Sequence, residues 1–410
     1  MRFGWLILWP LLAACGSTRV SDTQTDSMFR SGDYSGAALR LREGLKEQGP
    51  DGKDRLLYLF DLGLTLHQAG QFEESNKALL EAERLSDIKD YTSLVNETAT
   101  LLVSDNIKDY SGEDFEKVLV NVYLAMNFAM MGNIEGALVE ARKVNHKLYL
   151  MVSQGKRKYK QNAFARYLSA ILYESEGNWN DAYVDYKKTR ELMPELPGLG
   201  RDLWRMASLL DMPEQAEEWE STYQLSDEDK RLARTRGPRS KSAEIVVLYE
   251  NGISPIKRPH HSLASIPEFY PRGNPVQMAQ VSVDGKPEVP TTLLHDIEKT
   301  AIQNLEEKYL GIIAKKMAGA AAKLIIANQI EKRTGDRGLG ALSRMLLFAA
   351  DRADLRSWNL LPRDLQIARL SVPPGLHTVR VAPVGGGGPM EKTIEVKANQ
   401  KAFVAFRYMP

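Results

Sequence analysis

The sequence predicts an α+β protein: an N-terminal all-helical repeat solenoid, then a β-sandwich-like domain that carries a helical insertion. Three observations carry that prediction. A short pattern of Gly, an aromatic or apolar residue and a small residue recurs five times between residues 26 and 225. A stretch over 226–243, rich in Asp, Lys and Arg and holding Gly237-Pro238, reads as a linker. Beyond it, over 244–410, apolar residues alternate with period two between tight-turn signals, which is the pattern of strands. A chain of 410 residues, 43% hydrophobic and 26% charged, is long enough to build two such cores.

The recurring pattern is clearest as Gly32-Asp-Tyr34-Ser-Gly-Ala37, Gly70-Gln-Phe72-Glu-Glu-Ser75, Gly132-Asn-Ile134-Glu-Gly-Ala137 and Gly177-Asn-Trp179-Asn-Asp-Ala182. A looser copy is Asp211-Met-Pro213-Glu-Gln-Ala216. Its physical logic is that of a helix-turn-helix unit. Gly takes the left-handed residue that ends helix A, the apolar residue packs back, and the small residue lets helix B come close. In the second copy Leu62-Gly63, Leu66, Gly70, Phe72, Leu79 and Ala82 fall at tetratricopeptide spacing. Successive turn glycines lie 38, 62 and 45 residues apart, so the repeats are degenerate. One extra helix is expected within 88–112, and the basic loop 154–160 interrupts another pair.

In the C-terminal half, Ala243–Tyr249 reads as a strand and Asn251-Gly252 as a turn, while the prolines of 255–275 forbid regular helix. Val276–Val283, Leu365–Val372, His377–Val381, Lys392–Val396 and Ala402–Tyr408 read as antiparallel strands joined by tight turns. A helical insertion covers about 294–351, broken at Thr334-Gly335. Within it, Ile312–Ala327 holds small residues around Gly319 and the lysines 315, 316 and 323. Two readings stay open there: an amphipathic helix against a lipid or partner surface, or a helix packed on its own β-domain.

The first residues are the most specific passage. Arg2 precedes the apolar run Phe3–Leu12, which ends in Leu12-Ala13-Ala14-Cys15. Residues 1–14 therefore read as an export signal, too short for a permanent span of about 20 residues. Cys15 is the chain's only cysteine, so it forms no internal disulfide and stands where a lipidation signal needs it. The passage resembles the bacterial lipoprotein signal, which implies a lipid anchor on Cys15 and a tether over 15–25. Gly16 rather than Asp follows the cysteine, and in such lipoproteins that implies the outer membrane.

The block Asp114–Lys143 resembles the central part of a family of bacterial tetratricopeptide-repeat lipoproteins, as do Val247–Pro255, Arg356–Pro362 and Leu370–Val379. The last of these, with Pro373-Pro374-Gly375-Leu376-His377, also resembles PEGA-type β-modules. The resemblance implies an envelope location and a protein-protein role; with the anchor expected at the outer membrane, the expectation is a periplasm-facing scaffold with an envelope protein partner, in a process such as peptidoglycan-synthase regulation or assembly of an envelope machine. It supplies no catalytic residue.

The remaining constellations are weak. With 54 basic against 53 acidic residues there is no electrostatic reason to seek nucleic acid. The six histidines make no His-x-x-x-His face, so no metal or other cofactor is expected; His260-His261 would need a carboxylate. Gly385–Gly388 lacks the Lys-Ser/Thr of a phosphate loop and reads as a hairpin tip. A cell-wall hydrolase using Glu288 and Asp296, and a glycan- or lipid-binding β-domain, are the alternatives to a scaffold. For partner binding, the expectation falls on Glu140, Arg142, Lys143 and Lys147, read as reaching outward to line the concave groove of the solenoid.

Overall fold

The computed structural model describes residues 22–95, 108–155, 162–236, 242–262, 264–286, 288–349 and 352–410. Cys15, residues 156–160 of the basic loop and residues 96–107 of the stretch expected to hold an extra helix lie outside them.

The N-terminal half is a solenoid of tetratricopeptide-like helix pairs: α1 (Thr23–Arg30), α2 (Tyr34–Gln48), α3 (Arg55–Gln68), α4 (Phe72–Val95), α5 (Asp114–Met130), α6 (Ile134–Gly155), α7 (Ala163–Ser175), α8 (Trp179–Leu192), α9 (Leu199–Leu209), α10 (Pro213–Tyr223) and α11 (Asp227–Arg234). The turns form as their residues dictate. Gly32, Gly70, Gly132 and Gly177 all have φ between 72° and 81°, and in the loose fifth copy Asp211 takes the same region at 54°. In each turn the next residue's N–H reaches back five positions: Asp33 to Met28, Gln71 to Leu66, Asn133 to Phe128, Asn178 to Tyr173 and Met212 to Ala207, at 2.9–3.0 Å. That bond satisfies a carbonyl the helix end leaves over. Gly63 serves a different need, since a Cβ there would lie 2.5 Å from Leu79 Cδ2. Its absence lets α3 and α4 close together.

The C-terminal half is a sandwich of two four-stranded sheets. Its elements are β1 (Ala243–Asn251), β2 (Ile256–Pro259), β3 (Pro267–Tyr270), β4 (Ala279–Val283), β5 (Val289–Pro290), β6 (Thr292–Asp296), α12 (Ile297–Thr334), α13 (Arg337–Ala349), β7 (Asp364–Val372), β8 (Gly375–Pro383), β9 (Met390–Val396) and β10 (Lys401–Tyr408). One sheet runs β10-β1-β7-β6 and the other β5-β4-β8-β9; β2 and β3 form a separate hairpin. Ile245, Val247, Tyr249, Val281, Leu370, Val381 and Phe406 fill the space between the sheets.

Four expectations are corrected. The strands are not all antiparallel: β1 and β10 pair in parallel, a pairing no tight turn can close, so the whole domain serves as the crossover. The stretch 226–243 is not wholly linker, because Ser226 caps α11 and β1 begins at Ala243. The tether is shorter than 15–25, because Asp22 caps a helix that starts at Thr23. The insertion's helix starts at Ile297 rather than near 294, since Leu294 belongs to β6 and Asp296 caps the helix.

The two halves share one core. Val246, Leu248, Leu365, Ile367, Phe403 and Ala405, on the outer face of the first sheet, pack with Leu56, Phe60, Tyr123 and Leu168 of the solenoid. Trp358 stacks on Phe60 at 4.7 Å. That sheet is therefore covered on both faces, which is why β1 reads Ile-Val-Val-Leu without alternation. The helical insertion leaves this body as an arm. Ile297, Ala301 and Leu305 of α12 are buried in the core, Tyr309 donates to Pro267 O, and beyond Ile312 the helix pairs with α13.

Candidate functional site

The inner face of the solenoid, the usual place for a peptide, is occupied by the protein's own sheet. Three buried polar clusters tie the two together. In the first, Glu250 of β1 accepts from Gln68 Nε2 (2.6 Å), Tyr123 Oη (2.6 Å) and Arg407 Nη1 (3.2 Å), and faces His67 Nε2 at 3.1 Å. His67 Nδ1 lies 2.5 Å from Asn127 Oδ1, so the ring bridges the solenoid helix α5 and the strand β1. Burial opposes the charge on Glu250, but His67, Arg407 and Tyr123 outweigh it and hold its carboxyl at about 2.

In the second, Arg369 of β7 reaches Glu244 Oε1 (2.7 Å), Asp202 Oδ2 (3.0 Å), Glu174 Oε2 (3.3 Å) and the hydroxyls of Tyr167 and Tyr186. Arg205, Lys401 and Arg236 supply the other cations. Burial resists ionisation of Glu174, yet Arg205, Lys401 and Arg369 hold it near 2. In the third, Glu116 of α5 accepts from the backbone N–H of Trp358 at 2.7 Å and from the Ser357 hydroxyl at 3.2 Å, while Arg356 pairs with Asp54 at 2.8 Å. Burial and neighbouring Glu113 raise the Glu116 carboxyl. Glu250, Arg369 and Glu116 each find their partners in another part of the same chain, so these clusters are structural joints.

The four residues expected to line the concave groove do not line it. α6 packs on α5 and α7, on the side away from the sheet. Glu140 is buried, not outward, and accepts from Asn121 Nδ2 at 2.6 Å. Lys143 bridges Glu140 (3.0 Å) and Glu83 (2.9 Å), and Lys147 reaches Glu83 at 3.1 Å. Arg142 donates to Tyr173 Oη at 2.7 Å. The helical register turned them this way: Glu140 follows Ala137 by three positions, and that face packs inward.

What α6 does present is an open cleft on the solenoid's outer layer. It measures about 540 Å³ and is lined by Glu83, Asp87, Val139, Arg142, Lys143, His146 and Lys147. A second cleft of about 200 Å³ lies on the other side of Arg142, towards α7 and α8, lined by Asn145, Arg166, Tyr173, Asp181, Val184 and Asp185. Val139 is 43% exposed and Tyr149, three residues after His146, is 67% exposed. An exposed valine and tyrosine on one charged helix make a small anchor surface of the kind protein interfaces use. Sequence reasoning found this helix but chose its charges over Val139 and Tyr149, which the 3.6-residue period places on the same side as Arg142 and His146.

The structure does bring a carboxylate to the histidine pair. Ligand atoms of His260, His261 and Glu268, on the β2–β3 hairpin, lie within 4.8 Å of one another. The set is poorly primed for a metal. His260 Nδ1 accepts the Ser262 N–H at 3.2 Å, which leaves the proton on Nε2, and Glu268 already accepts from Tyr270 Oη at 2.8 Å. Asp296 is occupied as the cap of α12, bonding the Lys299 N–H at 2.8 Å. Glu288 is exposed beside β5, and neither carboxylate lines the clefts on α6.

No family profile matches the sequence, and neither does any curated protein. Among solved structures, a crystal structure of MamA is 15% identical with a TM-score of 0.34, over 52% of this chain and 96% of that one. A putative kinesin light chain with nearly identical TPR-like repeats, from Podosopora anserina, is 13% identical with a TM-score of 0.32, over 53% and 94%. The fold of this chain stands on its own helices and turns.

Proposed function

We propose that this chain is a lipoprotein held at the outer membrane by lipid on Cys15, facing the periplasm, and that it is a scaffold for an envelope protein partner. The observation that carries the reading is the division of the solenoid's two faces. Its inner face is taken up by its own β-sandwich, while on the outer layer α6 leaves Val139, Arg142 and His146 in an open cleft and Tyr149 exposed beside it. The anchor and the scaffold fit together in space. From Cys15 to the cap at Asp22 the chain spans at most about 25 Å, which holds the repeats close to the membrane surface.

Two experiments test the reading. Cys15→Ala is expected to abolish palmitate labelling and membrane fractionation; a variant that still labels and fractionates like the wild type removes the anchor from the proposal. For the scaffold, the full protein carrying Val139→Asp and Tyr149→Ala is expected to lose capture of its envelope partner with an unchanged melting temperature, since both side chains are exposed. Retained capture would take the α6 cleft out of the interface. Lys143→Glu is the wrong variant for this purpose, because it would set a carboxylate beside Glu83 and Glu140 and destabilise the repeat itself.

A further inference from the structure

The arm formed by α12 and α13 carries an exposed apolar seam that the scaffold reading does not use. α12 is 38 residues long, about 57 Å, and only its first third is seated on the body. Gly319, Lys323 and Ala327 are buried, and they fall on one side of the helix. On the opposite side, Leu310, Ala314, Met317, Ala321, Leu324 and Asn328 follow one another at steps of four and three, and all six are exposed. Leu310 is 81% exposed and Met317 69%. Alternating steps of four and three are the repeat that keeps one seam facing a partner helix through a left-handed crossing.

The residues along the seam say which partner. Large residues alternate with smaller ones: Leu310, Met317 and Leu324 occupy one register position, Ala314, Ala321 and Asn328 the other. In a parallel pair the like positions meet, setting leucine on leucine and leaving a gap between alanines. In an antiparallel pair the two positions face each other, so each large residue meets a smaller one. Centred on Gly319, a second copy of α12 running the opposite way brings Leu310 against Asn328, Ala314 against Leu324 and Met317 against Ala321. The charges agree with that register. The exposed root residue Glu306 comes level with the exposed tip residue Lys332 of the other copy. The one adverse pair, Glu307 with Glu331, is relieved because Glu331 turns towards Gly340 of α13. Lys299 and Gln303, on the same side nearer the body, are also exposed, so the face stays open down to the root.

We propose that α12 pairs with α12 of a second copy of this chain as an antiparallel coiled coil, making the protein a homodimer joined by its arms. An anionic membrane surface fits less well. Lys308, Lys315, Lys316 and Lys323 stand on the side of α12 away from the seam, where they would be turned from the headgroups that attract them.

The test is cross-linking and sedimentation of the full chain in mild detergent, with Cys15→Ser so that introduced cysteines are the only thiols. A mixture of Met317→Cys and Ala321→Cys, which face each other beside the two-fold axis, is expected to form a disulfide across the dimer. Leu310→Cys is not, because its two copies would stand about 27 Å apart, whereas a mixture of Leu310→Cys and Asn328→Cys is. In sedimentation the wild type is expected to be a dimer, and Met317→Glu with Leu324→Glu to weaken association by roughly tenfold or more, with far-ultraviolet dichroism unchanged. A monomer at micromolar concentration overturns the proposal, as does a dimer indifferent to those substitutions or one in which Leu310→Cys links to itself. A fluorophore at Met317 that becomes shielded in phosphatidylglycerol vesicles while the protein stays monomeric assigns the seam to the membrane instead.

Discussion

Arg369 sits in a strand reading Leu-Gln-Ile-Ala-Arg-Leu-Ser-Val, where a lone arginine looks like the solvated side of an antiparallel sheet. In the fold it is buried and holds two tyrosines and three carboxylates at the joint between the halves. Removing one partner of such a cluster leaves uncompensated charge, so Arg369→Met is expected to cost on the order of 3–5 kcal/mol in urea unfolding. Glu250 makes a prediction in pH. Its carboxyl falls from 4.5 to about 2 in the folded protein. The folded value is depressed, so the stabilisation is fully present above 4.5 and is lost as pH falls from there through about 2, amounting to on the order of 3 kcal/mol. Unfolding free energies of the wild type and Glu250→Gln at pH 7, 4.5 and 3 check this. The variant is expected to be less stable at neutral pH, and to lose less on acidification. Equal pH slopes would show that other carboxylates dominate.

At the scale of elements, the repeat turns separate two uses of glycine. Gly70 has φ of 73° with nothing near its absent Cβ, whereas Gly63 is in ordinary helix but faces Leu79. Gly70→Ala is therefore expected to cost roughly 1–2 kcal/mol from backbone conformation alone. Gly63→Ala is expected to cost about 1–3 kcal/mol from overpacking. Adding Leu79→Ala distinguishes them: the cost of Gly63→Ala should shrink in that background, and that of Gly70→Ala should not. Thermal melts of the single and double variants measure both. Strict additivity at Gly63 would mean that α3 and α4 part without resistance. These turns were legible because a left-handed residue and its neighbours are chosen locally. The orientation of α6 was not, because Lys143 and Lys147 are drawn to Glu83 of α4, sixty or more residues away in the chain, and Glu140 to Asn121 of α5.

For the molecule as a whole, the shared core predicts joint unfolding. Residues of the first sheet and of the inner helices pack as one cluster, and the three polar joints lie between them. Cleaving the chain between Arg236 and Ser242 is therefore expected to leave both pieces together on size exclusion. The intact protein should show one denaturation transition for helical dichroism and for tryptophan fluorescence, since Trp358 of the C-terminal half stacks on Phe60 of α3. Two separated transitions, or fragments that part in native buffer, would show that the joints contribute little.

The local grammar of the sequence was sufficient for the helix pairs with their left-handed turns, for the change to strands after the charged stretch, and for the break at Gly335 that folds the insertion back on itself. These features depend on φ preferences and on periods of 3.6 and 2, which a short window of residues carries. The parallel pairing of β1 with β10 depends on contact between residues some 150 apart in sequence, and so does the covering of the solenoid's inner face. A continuous apolar run such as Ile245-Val246-Val247-Leu248 announces that both faces of a strand are buried, but not by what. Only the tertiary structure decided that the solenoid's groove receives its own sheet, because burying Glu250, Glu244 and Arg369 requires counter-charges that separate parts of the chain supply once they have come together.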